Sequence, residues 1–344
     1  MSQQGPSGGI DEERVGDWLA RHVAGAAPPF RYDLITGGRS NLTYRVTAGD
    51  GSSFVLRRPP LGPLLATAHD VVREWRIAAA LAETPVPVAR ALAACDDPAV
   101  NGAPFAVTSF VEGVVLDSAD KAAGVGADAL QAVSLHLIDV LAELHAVDLD
   151  AVGLADLSRK DGYIERQVKR WAKQWAGSKT RELPLIDEVE ALLRRDMPPQ
   201  VGATIVHGDY RFGNCITDLA RRKIAAVLDW ELCTLGDPMA DLGHLGLYWY
   251  DPTHPLPITN DPTSLPAFPR FGELLARYAA RTGRDVSRFG YYRGFAAWRL
   301  AVIAEGVASR HLHHHPDDTA ALAASQAAVA GLAEFALTCL TRPA

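Results

Sequence analysis

The sequence predicts an α+β fold of two lobes, a small β-rich N-lobe and a larger, mainly helical C-lobe. Two patterns carry this prediction. Between residues 30 and 110, short apolar runs alternate with glycine-rich breaks, which is typical of short strands joined by turns. From residue 111 onward, apolar residues recur at helical spacing over long stretches. Only residues 203–229 interrupt these helices with further strand-like runs.

The elements of the N-terminal part follow from capping and periodicity. Asp11 can cap a helix whose first turn is acidic and whose Val15, Trp18 and Leu19 share one face. The first two strands that follow would form a hairpin around the sequence GGRSN. In chain order we expect a helix over 11–23, strands over 30–36, 42–48 and 53–58, a helix over 68–82, and strands over 90–95 and 104–110.

The C-lobe is predicted as a series of amphipathic helices that begins after a short connector. We expect these helices over 127–147, 161–176, 185–195, 239–250, 268–282, 287–310 and 317–340. The chain therefore divides into an N-terminal tail and helix (1–29), the N-lobe (30–110) and the C-lobe (111–344), with a hinge near 109–114. A cleft between two lobes is a common place for a ligand.

The composition is that of an ordinary soluble globular protein. Of the 344 residues, 48% are hydrophobic and 22% charged, which is sufficient for a large core. The net charge of −7 argues against nucleic-acid binding, which needs a positive surface. The few cysteines lack a CxxC pair, the N-terminus lacks the pattern of a signal peptide, and no uninterrupted apolar run approaches about 18 residues. We expect a cytoplasmic protein with no membrane partner, and the composition leaves its oligomeric state open.

The stretch TIVHGDYRFGNCI, residues 204–216, carries the strongest chemical signal. An apolar run ends in Asp209 and Asn214, and a second apolar run ends in Asp229. Two strands that end side by side would place Asn214 and Asp229 close together, and their hard oxygen ligands suit Mg²⁺. Each aspartate alone is more often a cap or turn residue. The order D-x-x-x-x-N followed by a metal-binding Asp is that of phosphoryl transfer, with Asp209 placed to orient a hydroxyl and accept its proton.

The GGRSN loop is a second, weaker signal. Paired glycines let a backbone approach phosphate oxygens, with Ser40 and backbone N–H groups as donors and Asn41 beside them. A plain hairpin turn is the alternative. The sequence GxxxxGK[ST] does not occur, so a P-loop nucleotide fold is excluded at the level of motif.

A cationic side chain on a strand of the N-lobe could bind the phosphates. In this chain it must be an arginine, because the first lysine is Lys121. In FVLRRP, alternation places Arg57 on the same face as Val55, so that Val55 could cover an adenine while Arg57 reaches the phosphates. Glu74, on the following helix, is the natural partner of Arg57. The alternative is an exposed Arg57, with Glu74 paired to a neighbouring arginine on its own helix.

Together, GGRSN, VLRRP, REW, HGDYRFGN, LDWE and GDPMADLG resemble the aminoglycoside phosphotransferase/choline kinase family, which has a protein-kinase-like two-lobed fold. The resemblance covers most of residues 30–310 and is closest to the branch related to the kinase-like domain of acyl-CoA dehydrogenase fusion proteins. It implies an ATP-dependent phosphotransferase that uses Mg²⁺ and phosphorylates a hydroxyl of a small molecule, with GTP as the alternative nucleotide. A catalytically silent nucleotide- or ligand-binding module is the alternative function.

The resemblance also implies roles for individual residues. Asp209 would be the catalytic base, Asn214 and Asp229 the Mg²⁺ ligands, and Arg57 the substitute for the usual phosphate-binding lysine. Arginine and lysine are not interchangeable as phosphate ligands, so Arg57 is a departure from the wider family. The implied nucleotide site comprises Ser40, Asn41, Val55, Arg57, Glu74, and the hinge residues Ser109, Phe110 and Val111.

Four further residues are expected to support the catalytic loop. His207 would hold the loop through hydrogen bonds, and Arg211 lies within it. Asp237, followed by proline, is predicted as a helix N-cap, and Asp241 one turn later is the residue that braces the loop in relatives. The run of histidines at 311–315 is read as a solvated helix end.

The segment 159–181 is unusually basic for an acidic chain. Its apolar residues form one helical stripe (Ile164, Val168, Trp171 and Trp175) and its basic residues form another face (Arg166, Lys169, Arg170 and Lys173). A solvated face is the plain interpretation. As a functional site, the face would bind an anionic acceptor, which we expect to be a hydroxyacyl group carried as its CoA thioester. An aminoglycoside or another amino alcohol is the alternative substrate.

Overall fold

In the computed structural model, the described residues are 8–35, 41–61, 70–253, 255–256, 261–314 and 318–342. They form two compact units. The first unit runs to Gly113 and includes the later segment Ala225–Glu231, and the second comprises Val114–Ile224 and the chain from Leu232 onward. The return of 225–231 to the first unit was not predicted. The segment is joined to the rest of this unit by a hydrogen bond from the Val227 N–H to the Pro87 carbonyl at 2.8 Å.

The first unit contains a five-stranded antiparallel sheet of order β1-β2-β3-β5-β4. Its strands are β1 (Arg31–Leu34), β2 (Leu42–Thr47), β3 (Ser53–Arg58), β4 (Ala91–Cys95) and β5 (Phe105–Ser109). Its helices are α1 (Glu12–His22), α2 (Val71–Leu81) and the short α3 (Pro98–Asn101). All five strands and both longer helices were predicted, and β1 pairs with β2 as expected. The GGRSN loop lies outside the described residues except for Asn41.

The core of the first unit lies between one face of the sheet and α1. Burial alternates along β3, so Phe54 and Leu56 point into this core while Val55 and Arg57 lie on the opposite face. Helix α1 contributes Trp18, whose ring packs edge-on against Phe105 with centroids 4.8 Å apart. Asp11 caps α1 by accepting the Arg14 N–H, as its sequence predicts.

Arg58 continues the inward face of β3 and is buried. Its guanidinium donates to the Pro59 carbonyl at 3.1 Å, to the Asn101 carbonyl at 3.4 Å, and to the carbonyl of Gly9. A buried guanidinium is costly unless it is hydrogen-bonded, so these carbonyls explain how the strand tolerates Arg58 in its core face. Arg57 and Arg58 therefore have different environments although they are adjacent in sequence.

The second unit is mainly helical. Its helices are α4 (Ala119–Ala123), α5 (Ala127–Leu144), α6 (Tyr163–Ser178), α7 (Pro184–Arg195), α8 (Met239–Leu247), α9 (Phe271–Thr282), α10 (Phe289–His314) and α11 (Thr319–Thr341). Its strands are β6 (Thr204–Val206), β7 (Cys215–Asp218) and β9 (Thr234–Gly236), and β8 (Lys223–Val227) begins here and ends in the first unit. The seven predicted long helices are all present with slightly shifted ends. Sequence analysis did not predict α4 or β9, which pairs antiparallel with β6.

Helix α8 is buried along its whole length and packs closely on α10. A Cβ at Gly243 would lie 2.4 Å from the backbone of Tyr292, so only glycine permits this approach of the two helices. This packing brings polar side chains of α10 next to those of α8.

Helix α11 has the length and composition of a membrane span. The segment Ala320–Thr341 has a mean hydropathy of 1.5, and 28% of its most apolar window is buried in this structure. Serine, glutamine and glutamate interrupt the apolar run, and a core helix of a soluble protein can meet the same criterion. The buried residues of α11 include Val329, Leu332 and Ala336, and the helix packs against α10.

At the end of α10, His311 pairs with Asp318 at 3.0 Å, and both are exposed.

Candidate active site

The predicted catalytic loop follows β6 and begins with a sharp turn at Gly208. The φ of Gly208 is +87°, a conformation that side chains disfavour, and a Cβ there would lie 2.9 Å from the Cβ of Leu232. Glycine is therefore required in HGD for two reasons, backbone conformation and space. The turn directs the residues after β6 toward α8.

Asp241 on α8 holds the backbone of this turn. Its fully buried carboxylate accepts the N–H groups of His207 at 2.6 Å and Gly208 at 2.8 Å. Nε2 of His145 lies 3.3 Å from the same carboxylate, and Nδ1 of that ring lies 2.7 Å from the Tyr278 hydroxyl. Burial alone would raise the pKa of Asp241. The hydrogen bond from His145 and the charges of the surrounding groups outweigh burial, so the pKa is lowered. Asp241 is thus an ionised carboxylate that holds the backbone of the loop in place.

Asp209 receives donors on both carboxylate oxygens. Oδ1 accepts from Nε2 of His244 at 2.7 Å and from Nε of Arg211 at 3.3 Å, and Oδ2 accepts from Nδ2 of Asn214 at 2.7 Å. Burial would raise the pKa of Asp209, yet the His244 hydrogen bond and the neighbouring charges lower it well below its ordinary value. The carboxylate is therefore ionised and held in one orientation, while 26% of the side chain remains exposed.

Asn214 lies at the end of a 3₁₀ turn, Phe212–Asn214, that brings it back to Asp209. Its Nδ2 donates to the Asp209 backbone carbonyl at 2.8 Å as well as to Oδ2. Both amide hydrogens are used in these bonds, so Oδ1 is the atom that Asn214 can offer to a cation. Asp209 and Asn214 are therefore in direct contact.

Beside Asp209, the second unit has a small pocket of about 90 Å³. Its walls include Asp117, Arg211, Tyr248, Trp249 and Asp261. The Arg211 guanidinium lies over the Tyr248 ring, 5.1 Å from its centroid. Burial raises the pKa of Asp261, whose carboxylate accepts the backbone N–H and the hydroxyl of Thr263. The pocket thus combines one guanidinium, two carboxyl groups and aromatic walls.

In the first unit, Arg57 bridges two carboxylates. Nη1 donates to Oε2 of Glu74 at 2.9 Å, and Nη2 donates to Oδ1 of Asp229 at 3.3 Å. Glu74 is buried and also accepts from Nδ2 of Asn41 at 3.3 Å. Burial raises the pKa of Glu74 to about 7, although the Arg57 charge opposes this rise. The predicted Arg57–Glu74 pair is present, and the surface pairing that was the alternative for Glu74 is not the observed one.

Asp229 has a φ of +65°, which is uncommon for a residue other than glycine, although aspartate adopts it more readily than most residues. Carboxylate oxygens of Asp229, Glu74 and Glu231 lie within 4.8 Å of one another. These hard oxygen donors of the first unit fit the chemistry of Mg²⁺. Glu231 was not predicted, although it is part of the LDWE sequence that identified Asp229.

The structure also places the other predicted nucleotide residues. Val55 is half-buried beside Arg57 on one face of β3, and Ser40 lies outside the described residues. Ser109 ends β5, where its hydroxyl accepts the Arg90 N–H at 2.9 Å. Phe110 follows Ser109, and the Arg45 guanidinium lies over its ring, 4.3 Å from the ring centroid. Val111 follows and is half-buried.

Comparison with known proteins identifies the family. The phosphotransferase enzyme family (APH) matches residues 32–298. The chain belongs to this family. A provisionally assigned aminoglycoside phosphotransferase from Ralstonia eutropha is 31% identical, has a TM-score of 0.79, and is matched over 96% of this chain and 99% of its own. Amicoumacin kinase hAmiN, solved with AMP-PNP, Ca²⁺ and amicoumacin, is 16% identical with a TM-score of 0.60, and covers 96% of this chain and 93% of its own.

Curated relatives of this APH-family chain are longer proteins. Acyl-CoA dehydrogenase family member 10 of Mus musculus is 34% identical over 300 residues, which are 86% of this chain and 27% of that protein. The chain spans between 27% and 40% of the length of the curated relatives that it matches. The predicted family, its acyl-CoA dehydrogenase branch and the protein-kinase-like fold are therefore confirmed.

Two predicted supporting residues of the APH-family site have specific contacts. Nδ1 of His207, which is fully buried, accepts the backbone N–H of Asp209 at 3.2 Å. Asp237 accepts the Met239 N–H at 3.1 Å and the Tyr292 hydroxyl at 2.7 Å. Pro238 precedes α8 and already has helical dihedral angles. The Asp237 carboxylate accepts the N–H two residues on, which is the capping contact that the sequence predicts.

The predicted basic face of α6 lies apart from the residues that form the pocket. Lys169, Arg170 and Lys173 are exposed, whereas Arg166 is half-buried and donates to the Arg159 carbonyl at 2.7 Å. The apolar stripe of α6 is buried as predicted. Among the described residues, none of the four basic side chains lines the pocket beside Asp209.

Sequence analysis missed two polar side chains of the APH-family site. His244 on α8 contacts Asp209, and Arg299 on α10 contacts His244. Both are buried in apolar helices, where a single histidine or arginine usually has only a structural role. The available signal was position, because His244 lies one turn after Asp241 and therefore on the same helical face.

Proposed function

We propose that this protein transfers the γ-phosphoryl group of ATP to a hydroxyl group of a small molecule. The observation that supports this function best is the state of Asp209, an ionised carboxylate at a partly exposed site whose two oxygens are fixed by His244, Arg211 and Asn214. The membership of the phosphotransferase family supports the same reaction. A catalytically silent module would have no need of such an arrangement.

Asp209 would act mainly by aligning the acceptor. Oδ1 already accepts two hydrogen bonds, whereas Oδ2 accepts one from Asn214, so Oδ2 has a lone pair for the acceptor hydroxyl. Because its pKa is low, Asp209 cannot deprotonate a free alcohol. It would orient the hydroxyl while the oxygen–phosphorus bond forms and the bond to ADP breaks, and it would take the proton late, as a loose transition state allows.

The nucleotide would be bound through Arg57, with Glu74 fixing the guanidinium and the 109–111 segment contacting the adenine. Mg²⁺, held by Oδ1 of Asn214 and the carboxylate of Asp229, would neutralise charge on the triphosphate. The bound AMP-PNP and Ca²⁺ of amicoumacin kinase support a nucleotide and a divalent cation. ATP is the proposed nucleotide, and GTP is the competitor to be tested.

The proposed acceptor is the hydroxyl of a hydroxyacyl group carried as its CoA thioester. Two observations support it: the relatives named as acyl-CoA dehydrogenases and the three exposed cations of α6, Lys169, Arg170 and Lys173. Arg166 would add a fourth contact to the CoA phosphates. One observation favours the alternative, a cationic amino alcohol such as an aminoglycoside, because Asp117 and Asp261 line the pocket beside Asp209.

ATP consumption by the purified protein, measured across hydroxyacyl-CoAs, free hydroxy acids, choline and aminoglycosides, tests the function and the acceptor together. Repeating the screen with GTP tests the nucleotide. Turnover with hydroxyacyl-CoAs but not with aminoglycosides is the expected result. Turnover with an aminoglycoside alone would refute the acceptor and keep the kinase activity. No acceptor-dependent turnover with any class would contradict the proposed function.

A further inference from the structure

Two buried side chains, Arg299 and His244, form a row that ends at the partly exposed Asp209. Arg299 and His244 are 7% and 4% exposed. Nη2 of Arg299 lies 2.9 Å from Nδ1 of His244 and also donates to the Gly208 carbonyl at 2.7 Å. Nε2 of His244 lies 2.7 Å from Oδ1 of Asp209. We call this set the Arg299–His244–Asp209 row.

The row determines the protonation of His244. A guanidinium offers only N–H donors, so the His244 Nδ1 that faces Arg299 must be an acceptor without a proton. The neutral ring then has its proton on Nε2, where it can be donated to Asp209. Burial lowers the pKa of His244, as does the charge of Arg299, whereas Asp209 and Asp241 raise it; the net shift is downward and favours the neutral ring. The ring of Tyr248 also lies against the His244 ring, with centroids 5.0 Å apart.

Helix α8 supports the loop at two levels. Asp241 bonds the backbone of His207 and Gly208, and His244, one turn later, bonds the side chain of Asp209. The helix thus fixes the position of the loop and the rotation of its carboxylate separately. Loss of the second support would leave the loop in place, with the carboxylate held less firmly through its contacts with Arg211 and Asn214.

We propose that His244 is a positioning residue for phosphoryl transfer, which keeps Oδ2 of Asp209 directed at the acceptor hydroxyl, and that Arg299 selects the required tautomer. This role rests on the function proposed above. It assigns His244 no contact with substrate, so its effect should fall on turnover rather than on binding of ATP.

The kinetic test compares His244→Gln, which retains an N–H donor at a similar reach, with His244→Leu, which has none. In His244→Leu, kcat should fall by about 10- to 100-fold, less than the roughly 10²- to 10⁴-fold effect of a general base itself. The affinity for ATP should be unchanged, and His244→Gln should recover most of kcat. Equal losses in both variants, or a loss confined to KM, would overturn the positioning role. Thermal melting identifies a variant that fails to fold.

The second test needs no activity, which separates it from the proposed function. Two-bond ¹H–¹⁵N NMR correlations distinguish the two imidazole tautomers, and the His244 signal is the one absent from His244→Gln. The Nε2–H tautomer is expected in the wild type, with a mixed or altered pattern in Arg299→Met and no change in the matched control Arg288→Met on the exposed surface. An Nδ1–H tautomer in the wild type would overturn the proposal. If the tautomer is as expected but no acceptor is turned over, the row stands and the proposed function fails.

Discussion

Asn214 donates two hydrogen bonds to Asp209, one to the backbone carbonyl at 2.8 Å and one to Oδ2 at 2.7 Å. The asparagine of the D-x-x-x-x-N sequence therefore holds the aspartate in place, in addition to its proposed role as a cation ligand. The spacing allows this, since the 3₁₀ turn Phe212–Asn214 brings the asparagine side chain back to Asp209. Substitutions at the two positions should have different effects.

Asp209→Asn should lose phosphoryl transfer by roughly 10²- to 10⁴-fold, because a general base and its orienting contact are removed together. The amide also brings N–H donors against the donors of His244 and Asn214. Binding of Mg·ATP should persist, since Asp209 is not assigned to the nucleotide. Turnover assays with calorimetry of Mg·ATP binding would test this, and turnover near the wild-type rate would end the assignment.

Asp229→Ala should weaken the binding of Mg·ATP, because the variant lacks the carboxylate proposed to hold the cation. His313→Ala is the matched control, since the histidine run at the end of α10 has no assigned metal. Calorimetry in the presence and absence of Mg²⁺ separates metal-dependent from metal-independent affinity. An affinity that is unchanged in Asp229→Ala would exclude the metal role.

Arg57→Ala should lose about 1.5–3 kcal/mol of nucleotide affinity, the range for a hydrogen bond to a charged group. Arg76→Ala is the control, because Arg76 is an exposed arginine of α2.

Arg58→Ala is expected to have a different effect. Arg58 bonds buried carbonyls of the first unit, so its loss should lower the melting temperature more than the nucleotide affinity. Equal losses of affinity in Arg57→Ala and Arg58→Ala would contradict the strand orientation.

Glu74 should make the nucleotide-free protein less stable as pH rises. Its pKa is raised from 4.5 to about 7 by burial, so the folded state binds more protons than the unfolded state between these values. The stabilising contribution of the protonated form is complete below about pH 4.5 and is lost as pH rises through 7. The total is on the order of 3 kcal/mol. Urea unfolding at several pH values should show a flatter dependence in Glu74→Gln than in the exposed control Glu188→Gln.

The sequence was sufficient for the features that depend on local pattern. Every long helix and the N-terminal sheet follow from periodicity, and the catalytic loop follows from an unusual density of polar residues after a strand. Features that depend on distant contacts were not accessible. The segment 225–231 joins the first unit through a hydrogen bond between Val227 and Pro87, which no local signal encodes. For the same reason the contact of Arg299 with His244 could not be read from the sequence.

The proposed acceptor site depends on charged side chains that are exposed to solvent. Lys169, Arg170 and Lys173 are exposed on α6, where interactions with CoA phosphates would be screened by salt. The KM for a hydroxyacyl-CoA should therefore rise with ionic strength, while the KM for ATP changes less. Steady-state kinetics over a range of salt concentrations would measure both values.

Charge reversal gives the sharper form of the same test. Changing Lys169, Arg170 and Lys173 to glutamate should raise the acceptor KM and leave kcat and ATP affinity near their wild-type values. Arg166 is kept, because it holds the Arg159 carbonyl and its loss could disturb the start of α6. A control variant reverses three exposed cations elsewhere, Arg21, Arg76 and Lys223, with the same change in net charge. If both triple variants raise the acceptor KM equally, the effect belongs to net charge. If charge reversal on α6 leaves the acceptor KM unchanged, that face is an ordinary solvated surface. The pocket lined by Asp117 and Asp261 would then be the better candidate for the acceptor site.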